Sequence, residues 1–229
     1  MTGAGRDQLG GEPAELGPLP GGRHGIDPEV LAHNQRERIL AAVAQLVAEH
    51  GYGDTTIRQI ADAASVSRRT LYEQFSGKED VFLGAYTALD DYLAKLMAEA
   101  AGETEAGWDD EVAAALAALI HFLASRPNFA RLYLVESVAA GEALVPAREQ
   151  TSERLMALLA PGRERAAGRP PAEGMEEALV GGILVLLGRN VVAGEGAELA
   201  GVIPAVIEFA LSPYVGVDAA REVAARHSP

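Results

Sequence analysis

Arg68 and Arg69 open a short stretch, Ser67 to Phe75, in which Leu71 and Phe75 lie one helical turn apart. If that pair faces inward, Arg68, Arg69, Tyr72 and Glu73 face outward. A guanidinium is a planar fork of donors that fits the edge of guanine or the oxygens of a phosphate, and spacing alone leaves both open. Tyr72 adds a hydroxyl suited to phosphate. Lys78 stands in the first turn of the next helical stretch, where its charge opposes the helix dipole, so that a purely structural explanation is poor and a bound phosphate would be favoured. The chemistry these residues suggest is recognition of a polyanion.

That suggestion runs against the chain as a whole. Its 229 residues hold 33 acidic and 19 basic side chains, a formal charge of −14, which would repel nucleic acid if spread evenly. Between residues 55 and 78, however, Arg58, Arg68, Arg69 and Lys78 face only Asp62 and Glu73, a local balance of +2. DNA binding is therefore confined to a small footprint, with weak nonspecific affinity. Catalysis finds little support: there is no cysteine, five histidines are scattered, and neither an H-E-x-x-H motif nor a Gly-rich phosphate loop is present. No metal and no cofactor is expected.

The elements that position these residues read as helices throughout, and the fold class is all-α. Residues 1–27 form a flexible tail, since eight Gly and three Pro in the first 25 positions leave too little apolar surface to order it. A first helix runs from Pro28 or His33 to His50 and ends at Gly51. A second runs from Thr56 to Ala64 with Thr55 as N-cap, and a third from Ser67, its N-cap, to Phe75. Ser76-Gly77-Lys78-Glu79 reads as a capping box that opens a fourth helix toward Ala101. Further helices follow over Asp109–Ser125, Pro127–Ala139, Glu142–Leu159, Glu173–Val192, Ala197–Leu211 and Val217–Arg226, with a mobile connection over Pro161–Pro171.

Two short helices around a tight turn form a helix-turn-helix, whose second helix can enter a major groove. The segment from Gly51 to Phe82 closely resembles the DNA-binding segment of the tetracycline-repressor (TetR) family. It carries Gly51-Tyr52, Thr55-Thr56, Ile60-Ala61, Val66-Ser67, Thr70-Leu71-Tyr72, Phe75 and Lys78-Glu79 in order. The likeness covers about fifty residues. Two positions depart from the family pattern: Ser65 stands where the turn commonly has Gly, and Gln74 where an aromatic or His is usual. A positive φ at Ser65 would cost on the order of 1 kcal/mol. The resemblance implies a three-helix DNA-binding domain over 28–80, with Arg36, Thr56, Ser67, Arg68, Arg69, Thr70, Tyr72, Gln74 and Lys78 toward DNA.

For residues 81–229 it implies a helical domain that binds a small molecule and pairs two chains into a homodimer. The expected interface is Gly182, Ile183, Val185 and Leu186 on one late helix with Ile203 and Ile207 on the next. Pocket candidates are His121 and Phe122 on one helix and Phe129, Tyr133 and Glu136 on the next. Trp108, Arg189 and Asn190 complete the set. The implied function is a ligand-responsive regulator, a repressor that binds a palindromic double-stranded DNA operator and is released by a small-molecule effector. The fourth helix is the expected transmitting rod. The alternatives are a helical small-molecule carrier or enzyme, and a protein-binding adaptor with secondary DNA binding. With no signal peptide, and Ala178–Gly188 as the longest apolar run, too short for a bilayer, a cytoplasmic protein without a membrane partner is expected.

Overall fold

The computed structural model describes residues 28–166, 170–194 and 196–227; the expected tail and the centre of the Pro161–Pro171 connection lie outside them. Helices α1 (Pro28–Asp54), α2 (Ile57–Ala63), α3 (Arg68–Gln74) and α4 (Lys78–Gly102) come first. Then follow α5 (Trp108–Ser125), α6 (Pro127–Arg131), a π-helical turn (Leu132–Glu136), α7 (Ser137–Ala139) and a 3-10 turn (Gly141–Leu144). The chain closes with α8 (Val145–Leu159), α9 (Gly162–Arg165), α10 (Met175–Val192), a second 3-10 turn (Gly196–Val202), α11 (Ile203–Val215) and α12 (Val217–Arg226). No strand occurs among the described residues, and the all-α expectation holds.

The first four helices share one apolar centre. Ile39, Val43, Ile60, Leu71, Val81 and Phe82 are each at most 1% exposed, so α4 begins as part of the head before it continues through the body. Gly51 interrupts α1 with φ 81° and ψ 161°, a conformation that only glycine takes cheaply. Thr56, not Thr55, caps α2: its side chain accepts from the Gln59 N–H, and the Gln59 side chain accepts from the Thr56 N–H at 2.9 Å. Thr55 is buried instead and donates to the Gly51 carbonyl at 2.8 Å. The reciprocal box needs Gln three residues on, which Thr56 has.

Ser67 caps α3 as expected. The Ser76 box does not form. Gly77 is the N-cap of α4, and Asp80 rather than Glu79 accepts the Ser76 N–H and hydroxyl, at 2.8 and 3.1 Å.

In the body, α4 and α5 pack along their length, α11 lies against α5 and α12, and α8 and α10 close the side that carries the π turn. Several junctions differ from the sequence reading, and α9 forms at the start of the expected mobile connection. The expected single helix over Pro127–Ala139 contains the π turn, 3-10 turns open α8 and α11, and α11 runs on to Val215 through Pro213. A proline within the last turn forfeits only one helical bond, so the helix survives it. The apolar reading needs a correction too, because Glu198–Val215 is long and apolar enough for a bilayer, with a mean hydropathy of 1.4. Its Leu199, Ile203, Val206 and Ile207 are fully buried, as in the core helix of a folded domain.

Candidate nucleic-acid interface and ligand cavity

Leu71 and Phe75 pin the inner side of α3, at 0% and 3% exposure, while Arg68, Arg69, Tyr72 and Glu73 lie exposed. The turn before α3 takes the strained conformation foreseen for it. Ser65 has φ 51° and is the one non-glycine with positive φ among the described residues. Arg38 offsets part of the strain by donating to the carbonyls of Ala64 and Ser65, the latter at 3.0 Å, which are otherwise unpaired at the C-terminus of α2.

The exposed cations of the head differ in their commitments. Arg69 pairs with Glu73 at 2.9 Å on the surface, an i,i+4 contact worth a few tenths of a kcal/mol, ~0.3–0.5, and easily given up to a ligand. The Arg36 guanidinium lies 4.6 Å from the centre of the Phe75 ring. Arg68 makes no hydrogen bond, ion pair or ring contact with any described residue. Ser67 and Thr70 bond to each other at 2.9 Å, Thr56 serves its cap, and Gln74 is half-buried.

Lys78 has a structural role that the sequence reading found wanting. Its ammonium donates to the Tyr52 and Gly53 carbonyls at 2.9 and 3.1 Å and lies 4.4 Å from the Tyr52 ring centre. The negative end of α1 thus compensates the charge that the dipole of α4 opposes.

Tyr52 is also the point where head meets body. Its N–H donates to Oε2 of Glu136 at 2.9 Å, and its ring packs 4.9 Å from that of Phe82. Glu136, 5% exposed, takes Arg131 on its other oxygen at 3.0 Å. This carboxylate, expected at the pocket, instead joins the π turn to the bend of α1.

Two cavities flank a buried polar cluster in the body. One, of about 520 Å³, lies between the π turn, α8 and α10, and Tyr133, Val135, Arg148, Thr151, Leu184 and Arg189 are among its walls. The other, of about 330 Å³, lies between α4 and α8, with Leu93, Met97, Leu155 and Leu158 in its walls. Tyr133 and Thr151 line both. Behind them Asp90, 5% exposed, accepts from the Tyr133 hydroxyl at 2.6 Å and the Thr151 hydroxyl at 2.8 Å on one oxygen. Arg154 donates to its other oxygen at 2.7 Å and to Asp91 at 2.7 Å.

The Thr151 proton goes to Asp90, so Thr151 accepts from the Tyr86 hydroxyl at 2.8 Å. Burial pushes the Tyr86 hydroxyl up to about 12. Burial, with Tyr86 and Asp90 beside it, holds Tyr133 well above the ordinary tyrosine range. Both phenols are therefore donors at any physiological pH. Their rings stack 5.1 Å apart.

Several expected pocket residues are elsewhere. His121 is exposed, because Leu119, Ile120, Phe122 and Leu123 take the buried directions of α5. Phe122 and Phe129 are buried in a row of rings with Tyr92 and line neither cavity. Trp108 donates to the Leu158 carbonyl at 3.1 Å and packs edge-on against Tyr214. Asn190 spends its amide on the Leu186 carbonyl of its own helix at 2.8 Å. Only Tyr133 and Arg189 of the expected set line the larger cavity. Tyr86, Asp90, Arg148, Thr151 and Arg154 were missed. The one signal was a charged residue, Asp90, within the buried stripe of Tyr86, Leu89 and Leu93.

The interface residues divide as well. Ile183, Ile203 and Ile207 are at most 3% exposed within the chain's own core and offer no surface to a second copy. Val185 is 72% exposed, and Val192 and Phe209 are also exposed. Gly182 lets the Phe209 ring lie over α10, since a Cβ there would come within 3.1 Å of it. Leu186 is half-buried.

Residues 39–85 match the family described as bacterial regulatory proteins, tetR family. This N-terminal unit is the DNA-binding unit of the tetR family. It is 38% identical over 69 residues to the HTH-type transcriptional regulator TcmR of Streptomyces glaucescens, which covers 30% of each chain. The matched part thus spans under a third of that relative. In structure the chain resembles the fatty acid degradation regulator FadR of Bacillus halodurans, with a TM-score of 0.70 and 19% identity over 82% of this chain and 97% of that one. It also resembles the transcriptional regulator FadR of Bacillus subtilis in complex with stearoyl-CoA, with a TM-score of 0.66 and 20% identity over 77% of this chain and 97% of that one. At these identities the likeness is one of fold, and it takes in the helical body as well as the head.

Proposed function

We propose that this tetR-family chain is a ligand-responsive transcriptional regulator, a repressor that binds a palindromic DNA operator as a homodimer and is released by a small molecule. Residues 28–80 serve as the DNA-binding head and 81–229 as the ligand-binding and dimerisation body. The observation that carries the reading is Arg68, an exposed guanidinium without a partner among the described residues, on a helix whose inner side is locked by Leu71 and Phe75. Arg69, which pairs with a surface glutamate, and Tyr72 extend the same face. The cavities support the effector, and the stearoyl-CoA bound to the Bacillus subtilis protein is consistent with a small molecule in such a body.

Selection of bound genomic fragments tests the reading, with a palindromic site as the expected result. On that site Arg68→Ala weakens binding by about 1–3 kcal/mol and relaxes the preference at one base pair if the guanidinium reads a base. Lys78→Ala weakens all sequences alike, through the loss of the α1 carbonyl contacts and of any phosphate contact. Wild-type affinity in a folded Arg68→Ala, Arg69→Ala double variant rules out this DNA face.

For the dimer, the exposed apolar residues of α10 and α11 are the probes. Val185→Glu places an unpaired charge in the proposed interface and shifts the sedimenting species from dimer to monomer, because burying it there costs several kcal/mol, ~3–5. Ile183→Glu unfolds the chain instead. A Val185→Glu protein that remains dimeric at low micromolar concentration rejects this face.

A further inference from the structure

The larger cavity has an electrostatic character at odds with the chain around it. Acidic residues outnumber basic ones 33 to 19 overall, yet no Asp or Glu lines this cavity, and two arginines do. Arg148 comes from α8 and Arg189 from α10, two of the helices that line it. Neither guanidinium makes a hydrogen bond, ion pair or ring contact with any described residue.

Elsewhere such groups are engaged. Arg131, Arg154, Arg163 and Arg226 each hold a mostly buried carboxylate, and Arg38 and Lys78 hold helix-end carbonyls. Among the described residues Arg68, Arg148 and Arg189 are the cations without a hydrogen bond, ion pair or ring contact; Arg148 is half-buried, and Arg189 is exposed at the mouth of the cavity. The rest of the cavity wall is mainly apolar, with Leu134, Val135, Val138, Leu184 and Val192. Ser137, Ser152 and the two tyrosines also line it, with their hydroxyl protons already donated within the chain, to the Tyr133 and Arg148 carbonyls, Asp90 and Thr151. Asp90, the nearest buried carboxylate in the cluster, is saturated by Tyr133, Thr151 and Arg154 and adds no free negative charge.

We infer that this cavity takes an amphiphilic organic anion, whose carboxylate or phosphate head is held between Arg148 and Arg189 while its apolar body lies against the π turn and α10. The inference rests on the reading of the body as an effector domain and specifies the effector's chemistry. Guanidinium groups pair with carboxylate and phosphate oxygens through charge-assisted bonds, stronger than those to a neutral hydroxyl. The apolar wall supplies affinity without selectivity, so the head decides what binds. A cavity of about 520 Å³ is in the range that accepts small organic ligands.

Calorimetry on the full chain with four probes of one chain length tests this: decanoate, decyl phosphate, decanol and decyltrimethylammonium. Both anions are expected to bind, and the alcohol and the cation to bind at least about tenfold more weakly, the factor that one charge-assisted contact supplies. The tighter of the two anions identifies the head as carboxylate or phosphate. Arg148→Gln and Arg189→Gln should each weaken the anions by about tenfold and leave decanol unchanged, and lysine at either position should restore part of the loss.

Equal affinity for anion and alcohol, or no anion binding at millimolar concentration, overturns the proposal. So does an Arg189→Gln protein that loses its dimer in sedimentation but keeps wild-type anion affinity, since that arginine then serves the partner copy. The assay contains no DNA. Its failure beside intact operator binding removes the ligand class alone, whereas anion binding without any operator removes the regulator reading.

Discussion

Asp90→Ala is expected to destabilise the body by about 3 kcal/mol in urea unfolding at constant m, the scale for removing one partner of a buried, charged hydrogen-bond cluster. Three donors converge on this carboxylate from α8 and the π turn, Tyr133, Thr151 and Arg154. Without it the Tyr133 hydroxyl loses its acceptor, Thr151 keeps only the Ala147 carbonyl at 3.2 Å, and Arg154 keeps only the exposed Asp91. Asp90→Asn keeps the volume but turns a donor toward one set of partners, and should cost about half as much. Tyr133→Phe removes a single donor, at about 1 kcal/mol. The Asp90→Ala, Tyr133→Phe pair should be less costly than the sum, because the second change removes a group that the first had orphaned. Strict additivity would show that the cluster does not act as a unit.

The head was legible in the sequence because its instructions are local. A cap at Ser67, a glycine at the bend of α1 and the one-turn spacing of Leu71 and Phe75 each act within a few residues. The strain at Ser65 could be anticipated from the resemblance, whose pattern has Gly at that turn position. The errors there were errors of choice between neighbours, Thr55 for Thr56 and Glu79 for Asp80, and in the first Gln59 carried the missing hint.

The body was less legible because its determinants are distant in the chain. Asp90 meets its partners 43, 61 and 64 residues away, so the pattern of α4 alone shows only a carboxylate out of place. A helix apolar nearly all round, such as α10, does not reveal which side meets its own chain. That is why Ile183 and Val185, two residues apart, are both expected at the interface, although one is buried in the chain's own core and the other exposed. His121 failed for a related reason: four apolar neighbours filled every inward direction and left it the outward one.

The Glu136 contact changes the expectation about how the body reaches the head. The sequence pointed to α4 as a rod, and α4 does begin in the head's core. The π turn adds a second route, because Tyr133, Leu134 and Val135 line the larger cavity while Glu136, at its end, holds the Tyr52 N–H beside the bend of α1. Tyr52 in turn presents its carbonyl to Lys78 at the start of α4. A ligand that displaces the turn therefore pulls on the junction from which α2 and α4 both set out. Glu136→Ala leaves that N–H and Arg131 without an acceptor, and should cost about 2 kcal/mol, less than a fully buried pair because Arg131 is part-exposed.

Glu136→Gln is the sharper probe, since it keeps an acceptor and the volume but weakens both bonds. Operator affinity without effector should remain within about threefold of wild type, while the effector-induced loss of affinity, commonly 5- to 150-fold in such systems, should shrink by about tenfold or vanish. Linkage demands that the operator's effect on effector affinity shrink by the same factor, so the two titrations check each other. Unchanged coupling in a stable Glu136→Gln protein would return the whole signal to the tilt of α4.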